Sequence, residues 1–276
     1  MNTHVKPKPY AGLHLGVVPY LNVKPLIWNI EALAPGIEVI TAVPRDLTAM
    51  LDAGQVDVGT IPVAAYLHHP GYSIVPGISI ACKGEARSVV LFSKVPVEQI
   101  RSVLLDRSSL SSIALFRVLL REHFQISPAL TLSEEPISCF PLSKESSCDA
   151  FLIIGNTAMQ VQEPFPCRYD LGEAWHQFSG LPFVFAFWAV RENQHLRGLD
   201  RVLVRSKQDG LKHLAEIVRA ESQHLNIPES VCYHYLSRNM QYNLGECELE
   251  GIRRFQELLA AQGLCSPHVE LKFYRA

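Results

Sequence analysis

The chain has 276 residues, 48% of them hydrophobic and 19% charged, with a formal net charge of −2. Bulk disorder is excluded, because it pairs low hydrophobicity with high net charge, and no basic footprint of a nucleic-acid binder is present. The longest apolar run, Leu181–Val190, has ten residues and contains Pro182; a spanning helix needs about 20, so no membrane association is expected.

Leu13–Val18 is predicted as a first strand and Pro25–Leu33 as the helix after it. Ile37–Val43 is a second strand. Leu47, Met50 and Leu51 then lie at i, i+3 and i+4, one face of a helix, with Gly54 as its stop. Val56–Val58 reads as a third short strand, and Ala64–Leu67 opens a helix cut by Pro70-Gly71. Ser88–Ser93 and Phe183–Val190 are apolar runs rich in Val and Phe. Between them lies a second α/β unit. Its predicted parts are a strand at Val103–Leu105, a helix with Ile113, Phe116, Leu120 and Phe124 on one face, a strand at Phe151–Ile154 and a helix after Gly155. Leu211–Leu264 reads as helical, with Leu211, Leu214, Ala215 and Val218 on one face, then Ile252, Phe255 and Leu259, closed by Gly263.

The alternation predicts an α/β fold with largely parallel sheets. A first lobe is expected from residues 1–92 and 188–276, with a second lobe, 93–187, inserted between them and two strands crossing from one to the other. A small ligand in the cleft is the natural use of such a chain. The seven cysteines (Cys82, Cys139, Cys148, Cys167, Cys232, Cys247 and Cys265) are scattered, with no C-x-x-C pair. They fit reduced thiols in the cytoplasm and argue against a disulfide framework or a zinc site. The polar opening, Met1–Tyr10, reads as no export signal.

Five segments can carry chemistry. Gly16–Leu26 runs from strand through a tight turn into a helix, presenting Tyr20 and Asn22; Asn22 is either a helix cap or a ligand contact. Asp57–Pro62 places Thr60 and Ile61 at a strand end, where Gly59 allows close backbone approach; an ordinary turn is the alternative. Arg87-Ser88 offers a hydroxyl to the cleft and a guanidinium that either forks a carboxylate or stays solvated. Asp106–Ser112 sets four serines (Ser108, Ser109, Ser111 and Ser112) at a helix start. One suffices as a cap. The others, with the free N–H groups and the positive end of the dipole, suit a carboxylate or phosphate. Gly155-Asn156-Thr157 is a second anion contact or an N-cap. Trp175 reads as packing under a crossing. The adjacent pairs His68-His69 and Glu134-Glu135 diverge in direction and make poor joint sites. No G-x-S-x-G, Walker loop or G-x-G-x-x-G occurs. These residues taken alone describe a two-lobed binder of a small anion.

The run G-x-V-x-Y-x-N-x-x-P-L at Gly16–Leu26 resembles the opening motif of the chorismate dehydratases of the futalosine route to menaquinone. Further matches follow in order at Asp57–Pro62, Arg87-Ser88-Val89, Ser109–Ser112, Ile154-Gly155 with Ala158, Asp170-Leu171-Gly172 with Trp175, and Gly180–Ala186, so that the resemblance spans about residues 12–265. It implies a two-lobed type II periplasmic-binding-protein-like fold with two crossover strands, and a lyase that converts chorismate, a dicarboxylate, to 3-[(1-carboxyvinyl)oxy]benzoate and water without metal or cofactor. It further implies that Asn22 and Ser88 are the catalytic contacts. Tyr20, Thr60, Ile61, Arg87, Ser109, Ser111, Ser112, Gly155 and Asn156 are expected to bind substrate. The family commonly carries Asp where this chain has Asn156, and Asn serves equally where that residue only caps a helix.

The chemistry suits such residues. The hydrogen on the ether-bearing ring carbon is vinylogous to the ring carboxylate, and its removal followed by loss of the neighbouring hydroxyl makes the ring aromatic. The protein then has to orient the substrate and stabilise developing charge. No carboxylate or imidazole stands convincingly inside the matched motifs, which leaves the substrate's own side-chain carboxylate as a candidate base. A monomer or homodimer in the cytoplasm is expected. The alternatives are a sibling enzyme forming 1,4-dihydroxy-6-naphthoate and a non-catalytic small-anion solute-binding protein.

Overall fold

Two mixed β-sheets organise the chain, which a computed structural model describes over residues 8–69, 71–137, 147–162 and 164–275. Pro70 and Cys139 lie outside the described residues. The strands, in chain order, are β1 (His14–Val17), β2 (Glu38–Thr41), β3 (Val58–Pro62), β4 (Tyr72–Cys82), β5 (Val89–Ser93) and β6 (Ser102–Leu105). There follow β7 (Ala129–Leu132), β8 (Ala150–Ile154), β9 (Cys167–Asp170), β10 (Phe183–Arg191) and β11 (Met240–Gln241).

The first sheet runs β11-β4-β10-β3-β1-β2 and the second β7-β6-β8-β5-β9. Each core repeats one plan: second, first and third strands side by side, then a strand arriving from the other lobe, then a fourth. The arriving strands, β10 and β5, pair antiparallel with both neighbours, whereas β1·β2, β1·β3, β6·β7 and β6·β8 are parallel. This corrects the expectation of largely parallel sheets: a strand that comes back from the opposite lobe runs against its hosts. It also moves the lobe boundaries. Val89–Ser93 lies wholly in the second sheet and Phe183–Arg191 wholly in the first. The chain therefore crosses at 83–88 and 180–182, ahead of the expected breaks at 92/93 and 187/188, because both backbone edges of each arriving strand are hydrogen-bonded within one sheet.

Most predicted elements are present, with local differences. The expected helix Pro25–Leu33 is instead a 3-10 helix, Leu21–Ile27, and a four-residue α-helix, Ile30–Leu33. Asn29 between them has φ 53, which ends one element before the next begins, and Pro25 contributes no N–H to a longer α-helical ladder. The third strand is Val58–Pro62 rather than Val56–Val58, and all five of its residues are buried. The sequence pattern predicts no strand at β4. Its ladder with β10 slips between Ser79 and Ile74, around Pro76-Gly77, where Gly77 has φ +77. The helical face at Leu211–Val218 also differs. His213 separates a helix at Leu199–Lys212 from one at Leu214–Leu225, so Leu211 and Ala215 are exposed while Leu214, Ile217 and Val218 are buried. Ile252, Phe255 and Leu259 are buried on the helix Glu246–Ala261, as expected.

Trp175 packs beneath the second crossing. It is fully buried, its Nε1–H donates to the Pro182 carbonyl at 3.2 Å, and Phe183 and Phe255 meet it edge-on at 5.5 and 6.0 Å. Such aromatic pairs add about 0.5–1.5 kcal/mol each to the burial itself, which holds the crossing against the first lobe. Among the described residues, no helix is long and apolar enough to cross a membrane.

Candidate active site

The C-terminal ends of the parallel strands point into the gap between the sheets, and the turns that follow them line a cavity of about 60 Å³. From the first lobe come Tyr20 and Asn22 after β1 and Thr60 on β3; Ser88 closes the first crossing; Ser109, Ser111, Ser112 and Gly155 come from the second lobe. Eight of the eleven residues singled out in the sequence thus meet at one place.

Asn22 is not a helix cap. The cap position of Leu21–Ile27 is Tyr20, with no side-chain cap bond. Asn22 Oδ1 and Thr60 Oγ1 are instead buried without a hydrogen-bond partner in the protein. Buried polar atoms left unpaired cost about 1–3 kcal/mol each, so two of them facing one cavity mark a place built to meet a polar ligand. Ser88 is held from both sides. Its carbonyl accepts the Gly155 N–H at 2.8 Å, and its hydroxyl accepts the Tyr235 hydroxyl at 2.9 Å.

The second lobe brings the start of the helix Leu110–Leu119. Ser109 is its N-cap and accepts the Ser112 N–H at 3.2 Å. Ser108 donates to Asp106 at 2.6 Å. Ser111 is a tie between lobes: its hydroxyl donates to the Phe185 carbonyl at 2.8 Å and accepts the Ala64 N–H at 3.3 Å. Of the four serines, Ser109 and Ser112 therefore keep hydroxyls for the cavity. Tyr20 reaches across to Ser108; burial pushes its phenol up to about 12, against the opposing Ser108 hydrogen bond. Gly155 has φ +65, and a Cβ there would stand 2.6 Å from two carbons of the Tyr20 ring. Glycine at this position seats Tyr20.

Three expected binding residues do not line the cavity. Arg87, at φ 62, is fastened by its own N–H to Asp170 Oδ2 at 2.6 Å, and its Nε lies 3.8 Å from Glu85. Ile61 is fully buried, on the opposite face of β3 from Thr60 by strand alternation. Asn156 joins the lobes: its Oδ1 accepts the Leu21 N–H at 3.0 Å and its Nδ2 donates to the Pro19 carbonyl at 3.3 Å. Nor does Asn156 cap its helix, since Ile154 occupies that position.

The first crossing is clamped from both lobes. Asp170 accepts the N–H groups of Ala86, Arg87, Gly172 and Glu173 at 2.6–3.0 Å. Burial pushes its carboxyl up to about 6, against the pull of those donors. From the first lobe, a π-turn at Tyr235–Asn239 supplies Tyr235 to Ser88, and Asn239 Nδ2 to the Glu85 carbonyl at 3.0 Å. Asp170 stood inside a matched run but received no role, and the clamp from Tyr235 was not legible in the sequence. Tyr235 stands 147 positions from Ser88 in a helical stretch with no motif. Phe185, an apolar wall of the cavity, fell inside a matched run but received no role.

No Asp, Glu, His, Lys or Arg lines the cavity among the described residues; Tyr20 is the titratable group that does. A larger groove of about 560 Å³ runs between the helices Pro44–Asp52 and Leu110–Leu119, with Arg45, Arg117 and the exposed His68 and His69 on its walls. None of the eleven candidates faces it.

A family model described as menaquinone biosynthesis matches residues 13–261. A chorismate dehydratase of Thermus thermophilus is 31% identical over 271 residues, covering 91% of this chain and 96% of the relative. Among solved structures, a protein of Archaeoglobus fulgidus superposes with TM-score 0.67 at 14% identity, over 91% of this chain and 98% of its own. The periplasmic aliphatic sulphonate binding protein SsuA of Escherichia coli superposes with TM-score 0.64 at 13% identity, over 94% and 95%. At those identities the two structures speak for the fold, which is that of the two-lobed periplasmic binding proteins.

Proposed function

The chain belongs to the menaquinone-biosynthesis family, and on that premise we propose that it dehydrates chorismate to 3-[(1-carboxyvinyl)oxy]benzoate. It is an enzyme, and its reaction is that of a hydro-lyase. The observation that carries the reading is the pair of unpartnered buried oxygens, Asn22 Oδ1 and Thr60 Oγ1, turned into a cavity together with Ser88 and a helix start.

The substrate carries two carboxylates and a ring hydroxyl. The start of the helix Leu110–Leu119, with the hydroxyls of Ser109 and Ser112, receives a carboxylate through the positive end of the dipole. Asn22 and Ser88 meet the ring hydroxyl that leaves, and Thr60 adds a further polar contact. Val89, Ile154 and Phe185 give the ring an apolar surround. Shielding from water strengthens each polar contact with the charge that develops on the ring.

The proton acceptor is the enolpyruvyl carboxylate of the substrate itself. In support, the cavity wall carries no side-chain carboxylate, imidazole or amine among the described residues, and the Tyr20 phenol, at about 12, stays protonated at neutral pH. Admission of the substrate requires motion. Ligand pockets span about 300–1,000 Å³, against the 60 Å³ found here, so the Asn156 and Ser111 ties between lobes must open and re-form.

Purified protein incubated with chorismate and followed by ultraviolet absorbance tests this: an aromatic dicarboxylate is expected to accumulate with loss of one water. No aromatic product would overturn the reading. A strong loss of turnover on replacing a single Asp, Glu or His in the cleft would overturn the substrate-as-base step alone.

A further inference from the structure

Tyr235 sits behind the cavity rather than on its wall, yet it is tied to Ser88. It is fully buried at the first residue of the π-turn Tyr235–Asn239, a form of helical irregularity often found at functional sites. Its hydroxyl donates to Ser88 Oγ at 2.9 Å. Asn22, which lines the cavity, leaves its Oδ1 without a partner there.

The phenol gives its only hydrogen to Ser88, so Ser88 has accepted one bond. A serine hydroxyl has one hydrogen to give, and that of Ser88 is left for the cavity. Burial keeps the phenol protonated by raising its pKa well above the ordinary value, so the donor does not switch off at working pH.

We propose that Tyr235 is a positioning residue which, by donating to Ser88, commits the Ser88 hydroxyl as a donor toward the substrate. Resting on the dehydratase reading, this gives Ser88 a fixed role. Ser88 donates to the ring hydroxyl as its C–O bond breaks and it leaves as water, drawing its proton from the one removed at the neighbouring carbon. Asn22 Oδ1 accepts the hydrogen of that same hydroxyl beforehand and orients it. Without the phenol, Ser88 is free to turn its hydrogen away from the substrate, and the chain of bonds that strengthens its donation is lost.

The test is Tyr235→Phe, which keeps the ring and removes only the hydroxyl, assayed with chorismate alone and in a Ser88→Ala background. The expected result is a fall in kcat of about tenfold, roughly the worth of one hydrogen bond, with KM changed less than about twofold and the thermal midpoint nearly kept. In the Ser88→Ala background the same change should have little further effect, because the residue it acts through is gone. Equal losses in both backgrounds, or a rise in KM with kcat kept, would overturn the proposal and leave a packing role. A fluorinated tyrosine at 235 covers the case in which the Phe variant folds poorly. It keeps the hydroxyl and makes it a stronger donor, so kcat should rise; an unchanged kcat speaks against the proposal. Aromatic product from the unaltered chain separates this test from that of the function: if none forms, the dehydratase reading fails and Tyr235 loses its role with it.

Discussion

The two lobes share one strand plan but bring different kinds of residue to the gap between them. The first lobe leaves oxygens unsatisfied there, at Asn22 and Thr60. The second spends most of its polar groups on internal or inter-lobe bonds: Ser108 on Asp106, Ser111 on Phe185 and Ala64, and Asn156 on Leu21 and Pro19. A polar side chain at a strand end is therefore not a ligand contact by position alone. On the proposed reading, those with bonding capacity to spare are the ones that read the substrate, and those already paired hold the lobes together.

The sharpest way to break this division is at Gly155, where the second lobe seats a first-lobe side chain. Gly155→Ala forces a Cβ against the Tyr20 ring and a residue into φ +65. Strain of that kind costs about 1–3 kcal/mol, so the denaturation midpoint should drop and activity should fall with it. An unchanged midpoint would mean that Tyr20 is not seated there.

The clamp at Asp170 should show a pH signature. Its folded pKa, about 6, is raised from 3.8, so its stabilising contribution is complete below about pH 4 and is lost as pH rises through 6. Because a tenfold change in proton affinity corresponds to about 1.36 kcal/mol, that loss is on the order of 3 kcal/mol. Denaturation of the unaltered chain and of Asp170→Asn at pH 4.5 and 7.5 captures about 2 kcal/mol of it, because the unfolded carboxyl is already largely ionised at pH 4.5: the advantage of the unaltered chain should be greater at the lower pH. An advantage that grew with pH would reverse the argument.

A paired experiment compares reading with holding. Asn22→Ala should lower kcat/KM at least about tenfold, some 1.4 kcal/mol of barrier, with most of the loss in kcat. Asn156→Ala removes two ties between lobes and should mainly raise KM, by an amount near the worth of a neutral hydrogen bond, about 0.5–1.5 kcal/mol. Asn156→Asp sharpens the point, since it keeps the acceptor for Leu21 and loses the donor to Pro19, and should fall between the two. If Asn156→Ala instead lowered kcat as much as Asn22→Ala, the second lobe would be reading substrate as well.

The sequence alone determined the strands β1, β5, β8 and β10, the helix start at Ser109, and the turn that carries Tyr20, because each rests on neighbours within a few positions: an apolar run, a cap, a glycine or proline. It also carried the family resemblance, which is a matter of ordered motifs. Tertiary structure alone decided which polar groups have capacity left. Arg87 went to Asp170 and Glu85, Asn156 to the other lobe and Ser111 to Phe185, while Asn22, expected to be either a cap or a contact, capped nothing. It also brought Tyr235 to Ser88 across 147 positions. Hydrogen-bonding capacity is finite and is divided among groups brought together by folding, so what a given side chain has left to offer is settled only when its distant partners are in place.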